Sequence, residues 1–466
     1  MKKIYLVLLV LFSLYIFFGW AMLDPDFGWR IKIGQLMMKN GIYSADPFSF
    51  SMTKYPFVDH EWLTHIGIAA FYKIANNNLI LLFIFGLIAT LSLFFSIPHE
   101  VERKKGDWLI PSLIFLIGSS LFSYSGIRPQ VWGWLLLALW VGELRKGDKA
   151  NFILLLFLQL LWVNTHGSYF LGVATYLLFV FSQFVQKKEI GRDIGRFILL
   201  CGSTLLNPYG WRMWWEVWMQ LTDFELKWRI QEWQPGLITL NISYLFYCAL
   251  FLSLFIKYWK KISLFNRIIT LSFFLLSLSA MRNIPLFLIS SFLVYLQMWC
   301  YLEADIHHCM KKQFIRLQNI IIILCFFVGF THICYDISLI QPLNKVYPVA
   351  AVNFITKNKI EGRVFAEYAW GGYLIWKAPL IKIFIDGRMP SWRWKQTDPH
   401  QSNDSAKEYF YITRKYPSFE PYRKKYDISY VLIKKGDKKN IFASYKKLYE
   451  DNICFLYKID GPPPIR

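Results

Sequence analysis

The chain has 466 residues, of which 55% are hydrophobic, 19% aromatic and only 18% charged. Its 52 lysine and arginine residues outnumber its 31 aspartate and glutamate residues, so the formal net charge is +21. This composition excludes a disordered chain and argues against a soluble enzyme or a nucleic-acid-binding protein, whose basic residues gather on one polar domain. Apolar segments joined by basic loops are typical of a polytopic α-helical membrane protein.

Eleven apolar segments predict transmembrane helices, since such a helix needs roughly 20 mostly apolar residues. In chain order they cover residues 4–22, 79–97, 108–125, 130–144, 151–164, 168–186, 194–207, 240–256, 266–282, 284–301 and 318–335. The first follows Met-Lys-Lys, as a signal peptide would. Its apolar run is long and no small-residue cleavage site follows, which predicts a retained anchor.

The loops between these segments alternate in charge. The set that begins at the N-terminus holds 19 basic residues in short loops, among them Lys2, Arg103 and Lys187. The opposite set holds 10 in a much longer total length. The positive-inside rule therefore predicts a cytoplasmic N-terminus and, with an odd number of spans, an external C-terminal segment.

Two domains are expected. Residues 1–335 form the membrane domain, with a first external loop at 23–78, and residues 336–466 form a small external α/β domain. Its predicted elements are helices at 348–358 and 371–378 and strands at 363–368, 382–386, 428–434 and 453–459. Six tryptophans between positions 211 and 233 predict an aromatic belt in contact with membrane lipids.

The first external loop opens with Asp24-Pro25-Asp26, directly after the first span. Two carboxylates at a membrane surface are costly to desolvate, which indicates a function. They could bind a divalent metal, orient a phosphate-bound donor through that metal, or act as a general base. The alternative is a solvated turn and helix cap, since Asp-Pro-Asp is ordinary turn chemistry.

The rest of this loop adds further polar groups between amphipathic segments. Residues 29–39 have the pattern of a helix lying on the interface. Asp46, Asp59, His60 and Glu61 follow, and they precede a second amphipathic run. With its five carboxylates, the loop is the best candidate for an active site in the chain.

The sequence resembles bacterial multispanning glycosyltransferases of the GT-C superfamily, near the protein mannosyltransferase and lipid A sugar transferase branches. The motifs that carry this resemblance are Asp24-Pro25-Asp26, Trp29, Gly34, Gly41, Asp46-Pro47-Phe48-Ser49, His60-Glu61-Trp62-Leu63, Arg128-Pro129-Gln130, Asn164-Thr165-His166-Gly167, Asn207-Pro208-Tyr209-Gly210, Glu232-Trp233-Gln234-Pro235, Arg282-Asn283, Tyr368-Ala369-Trp370-Gly371-Gly372-Tyr373-Leu374 and Phe384-Ile385-Asp386-Gly387-Arg388. This chain differs from many of these relatives in two ways. It has Arg30 where they have His, and it has no acidic residue at 123–130.

The resemblance implies transfer of a sugar from a polyprenyl-phosphate carrier to an external glycan, lipid or protein acceptor, with inversion, at the bacterial inner membrane. It assigns the general base to Asp26, with Asp24 as second choice, and supporting roles to Glu61 and His60. It leaves the cofactor open, with a divalent metal ion, Mg or Mn, that Asp26 would help to hold as one candidate. No nucleic-acid partner is expected.

For several other residues, a role in binding and a structural role are both consistent with the sequence. Arg128, Arg282 and Arg30 suit a lipid phosphate, with His166 as a hydrogen-bonding group, because arginine binds phosphate through two N–H groups. Snorkelling to headgroups and a structural role for the histidine are the alternatives. Trp370 and Tyr373 belong to a segment that loosely resembles the aromatic-glycine acceptor motif of oligosaccharyltransferases. A turn or a helix start at Gly371-Gly372 is the preferred interpretation, ahead of acceptor contact.

Two rival functions follow from the same sequence. A transporter or flippase for lipid-linked sugars would have charged residues near span centres, broken helices and repeated halves. Breaks containing Gly or Pro occur at 164–167 and 207–210, without a convincing repeat. A non-catalytic scaffold for envelope assembly would not need Asp24 or Asp26.

Overall fold

The computed structural model describes residues 2–97, 108–121, 124–238, 240–306, 310–415, 417–436 and 441–459. The basic cluster Arg103–Lys105, which contributes to the predicted orientation, lies outside the described residues.

Helices make up most of the described chain. In chain order the helices are α1 Lys2–Ala21, α2 Phe27–Asn40, α3 Trp62–Ala75, α4 Leu79–Phe95, α5 Leu109–Ser120, α6 Gln130–Leu144, α7 Phe152–Thr165, α8 Phe170–Val185, α9 Gly191–Ser203, α10 Arg212–Thr222, α11 Leu226–Arg229, α12 Ile242–Tyr258, α13 Leu264–Ser279, α14 Ile284–Ala304, α15 Lys311–Ser338, α16 Leu343–Val346, α17 Val349–Lys357, α18 Gly371–Lys377, α19 Ser405–Lys415 and α20 Glu420–Tyr426.

Each of the eleven predicted spans coincides with a helix. Five helical segments are long and apolar enough to cross a membrane: Lys2–Ala21, Gly167–Val185, Ile242–Lys261, Met281–Ala304 and Lys311–Ser338. Five more apolar helices are shorter, namely α4, α5, α6, α7 and α13, and α9 belongs to neither group. These apolar helices indicate a membrane-embedded protein, while the number of eleven crossings stays a prediction.

The C-terminal segment contains a small β-sheet together with helices. Its strands are β1 Gly362–Ala366, β2 Ile381–Ile383, β3 Tyr430–Lys434, β4 Lys446–Glu450 and β5 Cys454–Lys458. They form one sheet in the order β2-β1-β3-β5-β4. Strand β1 is parallel to β2 and β3, whereas β5 is antiparallel to β3 and β4. The predicted helices at 348–358 and 371–378 correspond to α17 and α18.

The described chain divides into two compact units. Unit 1 comprises residues 1–20, 79–210 and 227–340, and unit 2 comprises 21–78, 211–226 and 341–466. The sequence-based division groups the first loop with the membrane domain, but the structure groups it with the C-terminal segment. The reason is direct pairing: Ser49 forms a parallel bridge with Ile383 of β2, and Phe50 N–H donates to the Ile383 carbonyl at 2.9 Å.

Helix α2 is packed inside unit 2 between α3 and α18. A Cβ atom at Gly28 would lie 2.1 Å from the Gly372 carbonyl oxygen, and one at Gly34 would lie 2.0 Å from the His65 carbonyl oxygen. These two glycines therefore let α2 approach both neighbours with backbone contact. The sequence predicts an interfacial helix at 29–39, and the structure has a helix there. Most of that helix contributes to the core of unit 2.

Unit 1 consists of packed apolar helices. Helix α5 packs against α15 and α12, α4 packs against α6, and α13 packs against α14 and α8. The Tyr15 hydroxyl of α1 donates to the Gly126 carbonyl at 2.6 Å. Large apolar side chains such as Leu9, Ile323 and Phe327 remain exposed on α1 and α15, as expected of helix faces that meet lipid.

Candidate functional site

Asp24 and Asp26 lie in the short connection between α1 and α2, where they have different surroundings. Asp24 is buried and accepts hydrogen bonds from the Asp26 N–H at 2.9 Å and from Arg30 Nη1 at 2.8 Å. Asp26 precedes the first turn of α2 but makes no side-chain capping bond to it. Its carboxylate lies 3.5 Å from Arg30 Nη2, and its side chain is 31% exposed. Asp26 is therefore the accessible member of the pair.

The surroundings of Asp26 make it a weaker acid than usual. Burial by the surrounding protein raises the pKa of Asp26 to about 6, and the nearby Asp24 and Asp386 carboxylates add to the rise. Arg30 acts in the opposite direction. A carboxyl group with a pKa near neutrality can accept a proton and release it again at physiological pH, which is the property a general base requires.

A second buried charge cluster lies at the start of α3. His65 Nδ1 lies 2.7 Å from Asp59 Oδ2, and its Nε2 lies 3.2 Å from Glu61 Oε2. Burial lowers the pKa of His65, but the Asp59 and Glu61 carboxylates outweigh it and raise the value to about 9. The ring is therefore an imidazolium at neutral pH and donates to both carboxylates.

Glu61 connects this cluster to Arg30. Its Oε2 atom lies 3.9 Å from Arg30 Nε, so a continuous series of alternating charges runs from Asp59 through His65, Glu61 and Arg30 to the first two acids. The close approach of α2 to α3 at Gly34 makes this contact reachable. Four of the five loop carboxylates, all except Asp46, are thus gathered around the two cations Arg30 and His65.

The sequence-based interpretation chose His60 as the supporting histidine. His60 is 28% exposed, and its Nε2 lies 4.0 Å from Glu61 Oε1. His65 has the shorter contacts and was missed, although the spacing from Glu61 to His65 is i, i+4 on a helix that the sequence predicts. That spacing places both side chains on one face of α3.

A third cluster joins the loop to the C-terminal segment. Arg388 Nη1 lies 2.7 Å from Asp46 Oδ1, and Nη2 lies 2.5 Å from Asp386 Oδ2. All three side chains are almost fully buried. The Arg388 guanidinium is bordered by the rings of Trp29, Phe48, Phe57 and Trp392. Asp46, one of the five loop carboxylates, therefore has a partner far along the chain.

Three of the predicted donor-binding residues lie in unit 1, whereas Arg30 lies in unit 2. Arg128 Nη1 lies 2.5 Å from Glu232 Oε1, and the Arg282 guanidinium lies 4.6 Å from the centre of the Trp233 ring. The structure thus brings Arg128 and Arg282 to the same short segment of unit 1. His166 instead makes a local contact of 2.7 Å with Ser168.

The two predicted acceptor residues are part of the core of unit 2. Trp370 Nε1 donates to the Val346 carbonyl at 2.9 Å, and Tyr373 stacks on Tyr347 with a centroid separation of 4.9 Å. Both side chains are buried. Their visible role is to hold α18 against the start of the C-terminal segment.

The acids at this site fit an arginine better than a divalent metal. Within the described ranges, no group of three or more His, Cys, Asp or Glu side chains is arranged to hold a metal ion. The Arg30 guanidinium contacts Asp24, Asp26 and Glu61, so it occupies the place among these carboxylates that Mg or Mn would need.

Comparison with known proteins adds no family assignment. No protein-family model matches the sequence, and no curated protein matches it.

Proposed function

We propose that this chain is an integral membrane glycosyltransferase that moves a sugar from a polyprenyl-phosphate donor to a hydroxyl group of an external glycan, lipid or protein. The observation that carries the proposal is Asp26, a partly exposed carboxyl group with a pKa near 6, placed in a network of buried charges. The resemblance of the sequence motifs to the GT-C superfamily supplies the substrate class.

In the proposed reaction, Asp26 takes the proton of the acceptor hydroxyl. The acceptor oxygen then forms a bond to the anomeric carbon, while the bond from that carbon to the phosphate oxygen breaks. Polyprenyl phosphate leaves with the bonding electrons, and a single displacement inverts the configuration. General-base assistance of this kind contributes about 10²- to 10⁴-fold in rate.

Asp24 suits a supporting role better than the role of base. Its carboxylate is buried, it accepts from Arg30, and it also accepts the Asp26 N–H. These bonds fix the turn that presents Asp26. The Arg30–Glu61–His65 series keeps the position of Arg30 defined, so Arg30 can stabilise negative charge near the base.

Arg128 and Arg282 stay our candidates for contact with the donor phosphate. Their common association with residues 231–233 supports a shared role, since two guanidinium groups can bind one phosphate. The proposal also includes eleven membrane crossings in the inner membrane, a cytoplasmic N-terminus and an external C-terminal segment, on the strength of the loop charges.

The test compares envelope glycans by mass spectrometry in cells that lack the protein and in cells that carry the wild type or a variant. We expect a glycan that disappears without the protein and is restored by the wild type but not by Asp26→Asn. Asp427→Asn is the matched control, because Asp427 is an exposed carboxylate of the same unit in a left-handed conformation that asparagine accepts.

Restoration by Asp26→Asn would contradict the proposed base. The rival function is transport of a lipid-linked sugar, and we test for it in vesicles reconstituted with the wild-type protein. Translocation of a lipid-linked sugar across the bilayer, without transfer to any acceptor, would contradict the proposed transferase.

A further inference from the structure

We propose that the turn Asp386-Gly387-Arg388 in the C-terminal segment is a positioning element that fixes the Asp26 carboxylate in place. This inference rests on the proposed function, because it treats Asp26 as the group that must be placed. It makes the C-terminal segment a part of the active site of unit 2 rather than a separate accessory domain.

The first observation is steric. A Cβ atom at Gly387 would lie 1.8 Å from Asp26 Oδ1 and 2.7 Å from its Cγ, distances that real Cβ atoms essentially never show. Gly387 does not have a left-handed backbone, so glycine is not needed there for its conformational freedom. It is needed for space, and the backbone of the turn therefore forms a wall against which the Asp26 carboxylate lies.

Two further glycines of the C-terminal segment make the same kind of contact. A Cβ atom at Gly372 would lie 2.2 Å from the Pro25 carbonyl oxygen, and one at Gly371 would lie 2.7 Å from Asp386 Cβ. The beginning of α18 thus supports both the residue before Asp26 and the residue before Gly387. These contacts account for the Gly371-Gly372 pair in a way that a simple turn does not.

The second observation is that buried ion pairs hold the turn. The Asp386 carboxylate accepts from the Arg388 N–H at 2.9 Å and from Arg388 Nε at 2.8 Å, which closes the turn across Gly387. Arg388 Nη1 also donates a hydrogen bond to Asp46 Oδ1 of the first loop. The turn is therefore tied to the loop whose base it contacts, and a buried pair of this kind resists displacement.

The third observation is electrostatic. The charged groups that act on Asp26 are Arg30 and Asp24 from its own loop and Asp386 from the turn. Asp386 is one of the groups that raise the pKa of Asp26. The turn thus affects both the location of the carboxylate and its tendency to hold a proton.

The test uses the full-length chain in detergent and reads Asp26 directly. A hydrophobic carbodiimide labels protonated carboxyl groups, and mass spectrometry of the peptide containing Asp26 gives the labelled fraction at each pH. In the wild type the midpoint should lie near pH 6. In Gly387→Ala the added methyl group would overlap the carboxylate, and we expect the carboxylate to move toward solvent. We expect the midpoint to fall by about one pH unit and transfer to be lost.

Gly67→Ala is the matched control, since a Cβ atom at Gly67 meets nothing within 4 Å. It should keep the wild-type midpoint and transfer rate. Asp386→Asn is the second variant; it removes one negative charge near Asp26 and also weakens the ion pair with Arg388 that holds the turn. It should lower the labelling midpoint and move the acidic limb of the transfer rate to lower pH.

The outcomes separate this inference from the proposed function. A wild-type labelling midpoint in both Gly387→Ala and Asp386→Asn would overturn the inference, whatever the transfer assay gives. Shifted midpoints together with no transfer by the wild type would support the positioning turn and contradict the glycosyltransferase. A shifted midpoint with unchanged transfer in Gly387→Ala would also overturn the inference, because the position of Asp26 would then not matter.

Discussion

Arg30 Nη1 donates a hydrogen bond to Asp24 Oδ1 at 2.8 Å, while Nη2 of the same guanidinium lies 3.5 Å from Asp26. Two carboxylates that are two residues apart are thereby made unequal. Asp24 is buried and held by Arg30, and Asp26 keeps part of its side chain exposed. Sequence alone could rank these two acids only through a resemblance, whereas the structure gives a physical reason to prefer Asp26.

Replacing Asp24 should mainly affect the folded protein. In Asp24→Asn, buried Arg30 loses a charged partner but keeps contacts with Asp26 and Glu61. We expect the free energy of unfolding to fall by about 1–3 kcal/mol and transfer to decrease without vanishing. Thermal unfolding and transfer rates measured on the same preparation check this, and complete loss of transfer at full stability would instead make Asp24 the base.

Transfer should decline on the acidic side of neutrality. The pKa of Asp26 is about 6, and the base is active only when ionised, so kcat/KM should fall as the pH drops below that value. The stability of the folded protein should depend on pH in the opposite direction. Because the pKa of Asp26 is higher in the folded than in the unfolded chain, Asp26 stabilises the folded state fully below pH 3.8. That stabilisation is lost as the pH rises through about 6.

Asp26→Asn should therefore gain stability relative to the wild type between about pH 4 and pH 7. Thermal unfolding midpoints of both proteins across that range measure the difference. A difference that stays constant with pH would show that Asp26 has an ordinary pKa.

His65 should be important for stability, unlike His60. His65→Gln leaves Asp59 and Glu61 buried without their shared cation, and we expect a loss of about 3–5 kcal/mol in the free energy of unfolding at pH 7. The pKa of His65 is raised to about 9, so this stabilisation is complete below about pH 6.5 and is lost as the pH rises through 9.

The matched control for that variant is His60→Gln, since His60 is 28% exposed and its contact with Glu61 is long. We expect a change below about 1 kcal/mol. Thermal unfolding at pH 7 and pH 10 distinguishes the two histidines. Equal effects of both substitutions would be incompatible with the imidazolium described above.

Substitution of Arg128 should weaken donor binding, whereas substitution of its partner Glu232 should not. Arg128→Gln removes a guanidinium from the candidate phosphate contact and should raise the KM for the lipid-linked donor about tenfold. Glu232→Gln removes the carboxylate that competes for Arg128 and should leave the donor KM unchanged or lower it. Steady-state kinetics with varied donor concentration measure both, and a normal KM in Arg128→Gln would remove Arg128 from the donor site.

Much of the local structure could be predicted from the sequence. The apolar segments at 79–97 and 318–335 are helices, and β1 and β3 lie where alternating or β-branched runs predict strands. Strand β4 was missed because Lys446–Glu450 is a polar edge strand, which lacks the apolar run used to recognise strands. Helices α19 and α20 were missed because their sequences are mostly polar or aromatic.

The assembly of unit 2 could not be predicted in this way. The pairing of Ser49 with Ile383 and of Asp46 with Arg388 joins residues more than 300 positions apart, and no local pattern records such contacts. The same is true of the contact between Gly387 and Asp26, which explains the lack of a side chain at position 387.

The most direct measurement is the rate of sugar transfer by purified wild-type and Asp26→Asn protein, each reconstituted with polyprenyl-phosphate-linked sugars and an envelope acceptor extract. We expect transfer by the wild type, a loss of at least about 100-fold in Asp26→Asn, and an unchanged rate in Asp427→Asn. Transfer by Asp26→Asn at the wild-type rate would contradict the proposed base.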